Sequence, residues 1–284
     1  MNQYGISTFA FESRELDVPL LRKIFAAGYR HIELFANRPH LDYHNRSLQK
    51  EIANWFLSNE LPPPSLHLPF EERIGPKRVL PISALAPEER RRNAAIDEIK
   101  RALEISDRMS LAGVVLHLGV PRQGFEPVDF DHAYTVVEAI RAFAGVDVRI
   151  ENIPNDISTL ERIREFIDVA RLRDVHICYD SGHGHFEGPL GQLDRVAAIH
   201  IHDNHGEMDD HLWPFDGTLN WARFIEELVT SDYHGPMIFE VSDERIERGW
   251  EIVERLEDLL DQARSSLDEF RIKHDLRSDD SDLH

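Results

Sequence analysis

Short apolar runs, rich in β-branched residues, recur along the chain, and each is followed by a polar loop and a stretch of helical periodicity. Alternating strands and helices imply parallel strand pairing through right-handed crossovers. The near-continuous apolar character of the runs is typical of strands that are covered on both faces. The eight predicted strands are YGISTFAF (4–11), HIELFA (31–36), SLHLPF (65–70), AGVVLHLG (112–119), DVRIENIP (147–154), VHICYDSGH (175–183), VAAIHIHDN (196–204) and PMIFEVS (236–242).

Stretches between these runs show the three- and four-residue spacing of apolar positions that indicates surface helices with one buried stripe. Eight such units favour a closed (β/α)8 TIM barrel. A doubly wound open sheet is the alternative, but no glycine-rich phosphate turn follows the first strand. The helix candidates are 18–28, 89–109, 131–145 and 158–172.

The length of the chain predicts a single catalytic domain over residues 1–262. The polar segment 263–284, which ends in RSDDSDLH, is expected to be a disordered tail. The segment EGPLGQLDRV (187–196) is too short for a full helix, so one crossover is predicted to be abbreviated. Residues 70–93 form a long, partly basic excursion after the third strand.

The charge balance narrows the partners that we expect. With 52 Asp and Glu against 32 Lys and Arg, the net charge is −20, which repels nucleic acid and anionic membrane surfaces. The N-terminus lacks the pattern of a secretory signal, and no apolar run approaches the ~20 residues that span a bilayer. The single cysteine, Cys178, excludes an internal disulfide. We therefore expect a cytoplasmic protein with a small-molecule substrate.

Side chains that can bind metal lie at or near the C-terminal end of most later strands. In a barrel these ends meet around one mouth, so residues distant in sequence are expected to converge there. The candidates are His67, His117, Glu151, Asp180, His183, His200, His202, Asp209, Asp210, His211 and Glu240.

Four carboxylates brought into one pocket would repel one another: those of Glu151, Asp180, Asp209 and Glu240. At 4 Å each pair of like charges costs about 1 kcal/mol in water and ~4 kcal/mol at an intermediate dielectric. Bound cations would remove this cost. A mixture of carboxylate and imidazole ligands suits Zn²⁺, Mn²⁺, Fe²⁺ or Co²⁺ better than Mg²⁺ or Ca²⁺.

The ordered motifs LHLPF, VVLHLG, RIENIP, YDSGHGH, AIHIHDN, DDHLWPFDGTLNW and MIFEVS resemble the xylose-isomerase-like TIM-barrel superfamily over residues 4–260. That superfamily contains sugar isomerases and epimerases and the endonuclease IV-like apurinic-site endonucleases. The resemblance therefore implies a barrel with a metal-dependent active site, and it leaves both activities open. Barrels of this group often form homodimers, but the sequence leaves the oligomeric state open.

The epimerase branch implies one divalent metal, often Mn²⁺, held by two glutamates, an aspartate and a histidine. By motif these ligands are Glu151, Asp180, His200 and Glu240. His200 is chosen over His202 because the family ligand lies three positions before an aspartate, here Asp203. His183 matches a residue that contacts the substrate oxygen beside the metal.

The endonuclease branch implies three Zn²⁺ ions and five further ligands, all of which are present here: His67, His117, His183, Asp209 and His211. The cofactor expected from both branches is Mn²⁺ or Zn²⁺, with Co²⁺, Fe²⁺ or Mg²⁺ as alternatives.

Three hypotheses for the activity follow. The first is an isomerase or epimerase of a sugar, sugar phosphate or polyol-derived ketone, in which Glu151 and Glu240 remove and return a proton through a metal-stabilised enediolate. The second is a zinc phosphodiesterase that acts on DNA. The third is a metal-dependent lyase or dehydratase on the same scaffold. Only five lysines and the acidic balance favour the first, since DNA requires a basic groove.

Further substrate contacts are predicted at the mouth of the barrel. Glu33 ends the second strand and is expected to bind a sugar hydroxyl, and His67 and His183 are expected to contact the substrate. An apolar wall for a sugar ring is predicted from four aromatic residues, Phe9, Phe35, Phe70 and Trp213.

Overall fold

A computed structural model describes residues 3–75, 78–187 and 193–279. Eight of its ten strands close into a parallel barrel in the order β1-β10-β9-β8-β7-β6-β3-β2, which confirms the predicted TIM barrel. The strands are β1 (Tyr4–Ser7), β2 (His31–Phe35), β3 (Ser65–His67), β4 (Glu71–Ile74), β5 (Arg78–Pro81), β6 (Gly113–His117), β7 (Val148–Glu151), β8 (Val175–Asp180), β9 (Val196–Ile201) and β10 (Met237–Phe239).

The helices follow the barrel strands and cover the outside of the barrel. They are α1 (Val18–Ala26), α2 (Arg46–Ser58), α3 (Glu89–Leu103), α4 (Val128–Ala144), α5 (Leu160–Val169), α6 (Ser181–Glu187), α7 (Trp221–Thr230) and α8 (Gly249–Asp279). Short 3₁₀ turns lie at Thr8–Phe11, Glu104–Asp107 and Ile246–Arg248.

Helix α5 illustrates how the sequence forms these elements. The hydroxyl of Thr159 accepts a hydrogen bond from the backbone N–H of Arg162 and so caps the first turn. The stripe of Leu160, Ile163 and Ile167 is buried, as the spacing predicts. The main hydrophobic core therefore lies between the barrel and its ring of helices.

Inside the barrel the packing is different. Val115, Cys178 and Ala198 form a separate small cluster of buried apolar side chains. Polar side chains above and around this cluster fill the rest of the interior, which makes the barrel mouth the one region where buried charge is concentrated among the described residues.

Three segments refine the expectations from sequence. The excursion after β3 contains an antiparallel hairpin of β4 and β5. The described part of the crossover from β8 to β9 contains α6, a helix of seven residues, and part of the predicted short segment, 188–192, lies outside the described residues. Residues 263–279, expected to be a disordered tail, instead continue α8 as a helix, whose earlier turns bury Ile252, Leu256 and Leu260 against the core. Residues 280–284 lie outside the described part of the chain.

The loop between β9 and α7 is organised by one buried carboxylate, that of Asp203. Its Oδ1 accepts the backbone N–H groups of Asn204 (2.9 Å) and Leu219 (3.0 Å). Its Oδ2 accepts the backbone N–H of Phe215 (3.0 Å) and the indole N–H of Trp221 (2.8 Å). Four donors thus converge on a fully buried anion, which fixes both ends of the loop.

We expect Asp203→Asn to lower the free energy of unfolding by about 3 kcal/mol. The NH₂ group of the new amide would face two N–H donors and cannot accept a hydrogen bond from either of them. Urea denaturation of wild type and variant measures the loss. Asp216→Asn in the same loop is the control. Asp216 pairs with Arg248 in a partly exposed ion pair, so its loss should cost less than about 1 kcal/mol. Equal losses in the two variants would contradict the anchoring role.

Candidate metal centre and active-site cavity

The C-terminal ends of the strands carry the candidate ligands because the strands are in register. His117 on β6 pairs with Glu151 on β7, and Asp180 on β8 pairs with His200 on β9. Side chains at paired positions of parallel strands point to the same face of the sheet. Residues at the ends of β3, β6, β7, β8, β9 and β10 therefore meet inside the barrel mouth.

Four of these side chains form what we call the central group: Glu151, Asp180, His200 and Glu240. One ligand atom from each lies within 4.8 Å of the others. His200 Nδ1 lies 3.2 Å from Glu240 Oε2, 3.5 Å from Glu151 Oε1 and 3.9 Å from Asp180 Oδ2. All four side chains are buried.

Two further groups adjoin the central group. In the His67 group, Glu151 Oε2 lies 3.1 Å from Nε2 of both His67 and His117. The His67 group thus consists of His67, His117 and Glu151. Glu151 offers its Oε1 to the central group and its Oε2 to the His67 group. The His211 group consists of His183, His202, Asp209 and His211.

Asp209 is the centre of the His211 group. Its Oδ2 lies 3.0 Å from His183 Nε2 and 3.1 Å from His211 Nε2, and its Oδ1 lies 3.8 Å from His202 Nε2. His202 Nε2 also lies 2.9 Å from Asp180 Oδ1, which joins this group to the central group.

Several imidazoles are oriented by hydrogen bonds on their far side. The Nδ1–H groups of His67, His183 and His211 donate to the backbone carbonyls of Leu68, Asn152 and Glu240, respectively. This assignment leaves each Nε2 facing its group as a potential ligand. Orientation of this kind is typical of histidines that bind metal ions.

The residues of the central group fit a divalent cation. Glu151 Oε1 and His200 Nδ1 are fully buried and have no hydrogen-bond partner in the described part of the chain. A buried polar atom without a partner is costly, and a cation would satisfy both atoms at once. Three carboxylates and one imidazole form a donor set that suits Mn²⁺, Zn²⁺, Fe²⁺ or Co²⁺.

The electrostatics point in the same direction. Burial lowers the pKa of His211, but Asp209 outweighs this effect and raises that pKa to about 9. Burial likewise opposes protonation of His183, yet Asp180 and Asp209 hold its pKa well above the usual value. Burial raises the pKa of Glu240, but His200 lowers it to about 2. Glu240 thus stays ionised, and the site requires positive charge, which either protons or metal ions can supply.

The structure brings together all nine predicted ligands, and their role as ligands stays a prediction. His202, which the sequence argument set aside in favour of His200, also faces this centre. The two residues are two positions apart, so the alternation of a strand directs both side chains to the same side. Its ring lies so close to Gly182 that a Cβ there would be 2.0 Å from His202 Cε1.

Glu33 differs from the expectation. We predicted that it faces the mouth, but its side chain is only 1% exposed and lies within the barrel, beneath the central group. Its Oε1 lies 3.0 Å from His200 Nε2, and its Oε2 accepts a hydrogen bond from the hydroxyl of Ser65 at 2.8 Å. Glu33 and Ser65 are register partners on β2 and β3. Neither Glu33 Oε1 nor His200 Nε2 has a hydrogen-bond partner in the described part of the chain, so the contact between them is electrostatic: the charge of Glu33 helps to raise the pKa of His200, which burial opposes.

Cys178 is another residue that the sequence argument did not place near the ligands. Its sulfur lies within reach of Glu151 and His200. Burial raises the pKa of this thiol to about 12, so it stays protonated and packs as a small apolar side chain.

A cavity of about 750 Å³ opens above the three groups. His67, His117, His183, Asp209, His211 and Glu240 contribute to its floor. Of the predicted aromatic wall, Phe9, Phe35 and Phe70 line the cavity, whereas Trp213 is buried against Phe239 elsewhere.

The helices in the described part of the chain include none with the length and apolar composition that a membrane span requires.

This chain matches the family described as xylose isomerase-like TIM barrel over residues 21–270. It therefore belongs to that family. An uncharacterized protein of Sinorhizobium fredii, y4fM, is 28% identical over 197 residues, which are 61% of this chain and 63% of that protein. The chain thus spans about three fifths of the length of this curated relative.

Solved structures share the fold at low sequence identity. A D-tagatose 3-epimerase-like protein has a TM-score of 0.72 and 19% identity, with 92% of this chain and 98% of that chain covered. The IolI protein with a bound zinc atom has a TM-score of 0.70 and 16% identity, with 93% and 98% covered. Sugar epimerases recur among the other structures of similar fold.

We expect Glu33→Gln to weaken the binding of a divalent cation about 10- to 100-fold, because the predicted ligand His200 would lose the negative charge that lies 3.0 Å from its Nε2. Titration calorimetry of chelator-treated protein with Mn²⁺ and Zn²⁺ measures the affinity. Glu12→Gln, which alters a partly exposed ion pair with Arg73, is the control and should bind as wild type does. If Glu33→Gln also binds as wild type does, Glu33 only fills space.

Proposed function

We propose that this protein is a divalent-metal-dependent isomerase or epimerase of a sugar, sugar phosphate or polyol-derived ketone. The observation that carries the proposal is the central group, in which three carboxylates and one imidazole surround a common point at the floor of the cavity. The epimerases among the structures of similar fold support this class of chemistry, although a shared fold alone does not fix an activity.

Glu151, Asp180, His200 and Glu240 would hold the cation. Bound there, a divalent cation would supply the positive charge that polarises a substrate carbonyl and stabilises the neighbouring negative oxygen atoms. A hydrogen on the carbon beside that carbonyl would then be acidic enough for a carboxylate of the protein to remove it.

Glu240 and Glu151 are the candidates for moving that proton. They lie on β10 and β7, with two strands between them, so their carboxylates approach the same point from different directions. Glu240 lines the cavity directly, and both carboxylates are ionised because their pKa values lie below the usual range. One carboxylate removes a proton from carbon, and the other returns a proton to the product.

The remaining groups of the floor orient the substrate. His183 and His67 both line the cavity beside the central group, where they can contact a substrate oxygen. The aromatic rings of Phe9, Phe35 and Phe70 exclude water from one side, and a drier site strengthens the electrostatic interactions within it.

We expect Glu151→Gln and Glu240→Gln each to reduce proton transfer at carbon at least ~10³-fold, since an amide cannot accept the proton. Exchange of substrate C–H for deuterium in D₂O, measured by NMR on a panel of ketoses with metal-loaded protein, is the readout. Glu138→Gln on the outer surface of α4 should exchange as wild type does. Retention of wild-type exchange by Glu151→Gln would remove that residue from the chemistry.

One observation favours a second candidate, an endonuclease IV-like zinc phosphodiesterase. The His67 group and the His211 group adjoin the central group, so the chain offers donors for three cations. Against this candidate, Arg122 is the single arginine or lysine among the described residues that line the cavity, whereas a duplex requires a basic groove.

Elemental analysis of protein purified without added metal separates the two candidates. We expect about one Mn or a comparable divalent ion per chain for the isomerase and close to three Zn for the hydrolase. Cleavage of a duplex that contains an abasic site, together with three Zn per chain, would overturn our ranking. Chelation should abolish either activity, and the proper metal should restore it.

A further inference from the structure

The cavity above the metal centre has two distinct layers. Its floor consists of carboxylate and imidazole side chains, whereas its walls consist mainly of aromatic, aliphatic and proline side chains, with three charged residues among them. Phe70 illustrates the boundary, because its ring stacks on His117 of the floor at 4.3 Å between ring centroids. A ligand that reaches the floor must therefore pass along an apolar wall.

The walls offer few side chains that bind sugar hydroxyls. Among the described residues that line the cavity there is no Ser, Thr, Asn, Gln, Tyr, Trp or Lys. Each sugar hydroxyl that loses water without gaining a partner costs free energy. A free polyhydroxylated sugar would therefore find side-chain partners at the floor and at three charged residues of the upper cavity, Glu71, Arg122 and Glu207, but not along the rest of the walls.

The charged side chains of the upper cavity also disfavour an anionic substituent. Arg122 shares the cavity lining with two acidic residues, Glu71 and Glu207, and Glu71 also lies 3.9 Å from Arg73, which is outside the lining. The acidic charges outnumber the basic one, so a phosphate or carboxylate held there would meet net repulsion. This distribution favours an uncharged substituent in the upper cavity.

Large apolar side chains remain accessible at the rim. Met208 is 69% exposed, Val79 is 47% exposed and Phe186 is 36% exposed, and all three line the same cavity. Clustered apolar exposure at a concave site is typical of ligand-binding surfaces. The volume of about 750 Å³ lies in the upper half of the range of ~300–1,000 Å³ that accommodates drug-sized ligands.

We propose that the substrate carries an uncharged, aryl-sized apolar group next to its oxygen-bearing head, and that Phe70, Phe186 and Met208 form the subsite for this group. The oxygen-bearing head binds at the floor, and this part rests on the proposed function. The subsite itself rests on the apolar walls alone. The substrate class is therefore an aryl-substituted hydroxyketone or an aryl conjugate of a sugar or polyol, rather than a free sugar.

The test compares two probes that share the same head. 2-Hydroxyacetophenone and hydroxyacetone both present a carbonyl beside a hydroxyl, but only the first carries a phenyl ring. We expect the phenyl probe to bind about tenfold more tightly to metal-loaded protein, since burial of the ring removes apolar surface from water. NMR titration of each probe measures the dissociation constants.

Variants locate the subsite. Phe186→Ala and Met208→Ala should each reduce the preference for the phenyl probe several-fold, and both side chains are exposed enough for the fold to tolerate the change. Phe143→Ala, at an exposed position on α4 outside the cavity, is the control and should keep the full preference. Equal affinity for the two probes in wild type, or a preference unchanged in both cavity variants, would overturn the proposal.

The same experiment separates this inference from the proposed function. The preference for the phenyl probe should persist in chelator-treated protein, because the walls carry it. Exchange of the C–H hydrogens of the probe for deuterium should require the metal and Glu151. A preference for the phenyl probe without deuterium exchange would contradict the proposed isomerase and support the apolar subsite. Deuterium exchange without a preference for the phenyl probe would support the isomerase and contradict the subsite.

Discussion

The whole mouth of this barrel depends on the neutralisation of buried negative charge. Glu151, Asp180 and Glu240 converge there because parallel strands end at a common rim, and each would be unstable alone in such a dry place. Imidazoles supply part of the compensating charge, and a bound cation would supply the rest. The folding of the barrel brings these carboxylates together, and the same uncompensated charge makes the site suited to bind a cation.

The fold was predictable from the sequence because its signal is repeated. Eight apolar runs, each followed by a helical pattern, define a barrel even where single boundaries shift by a few residues. The helical continuation of α8 beyond residue 262 was not predicted, because its polar composition resembles that of a solvated tail. The hairpin of β4 and β5 was equally hidden, since exposed antiparallel strands carry little apolar alternation.

The candidate site was predictable to a similar degree. Residues that end strands, such as Glu151 and Asp180, could be placed at the rim from topology alone. Glu33 could not be placed correctly, because a shift of two residues along a strand separates the cavity from the layer beneath it. His202 was missed for a different reason. The family motif selected His200 alone, whereas the alternation of the strand directs both His200 and His202 toward the barrel mouth. The apolar walls were only partly visible, because Phe186 and Met208 come from a short helix and a loop without a sequence signal.

The anchoring of the β9–α7 loop by Asp203 has a consequence for how the centre would come apart. Glu151, Asp180 and His200 lie on barrel strands, whereas Asp209 and His211 lie on a segment whose ends converge on a single carboxylate. Partial unfolding begins where the fewest interactions must break. Gentle heating should therefore detach the loop-borne ligands first and leave the strand-borne ones assembled, so that the centre loses its outer half before the barrel melts.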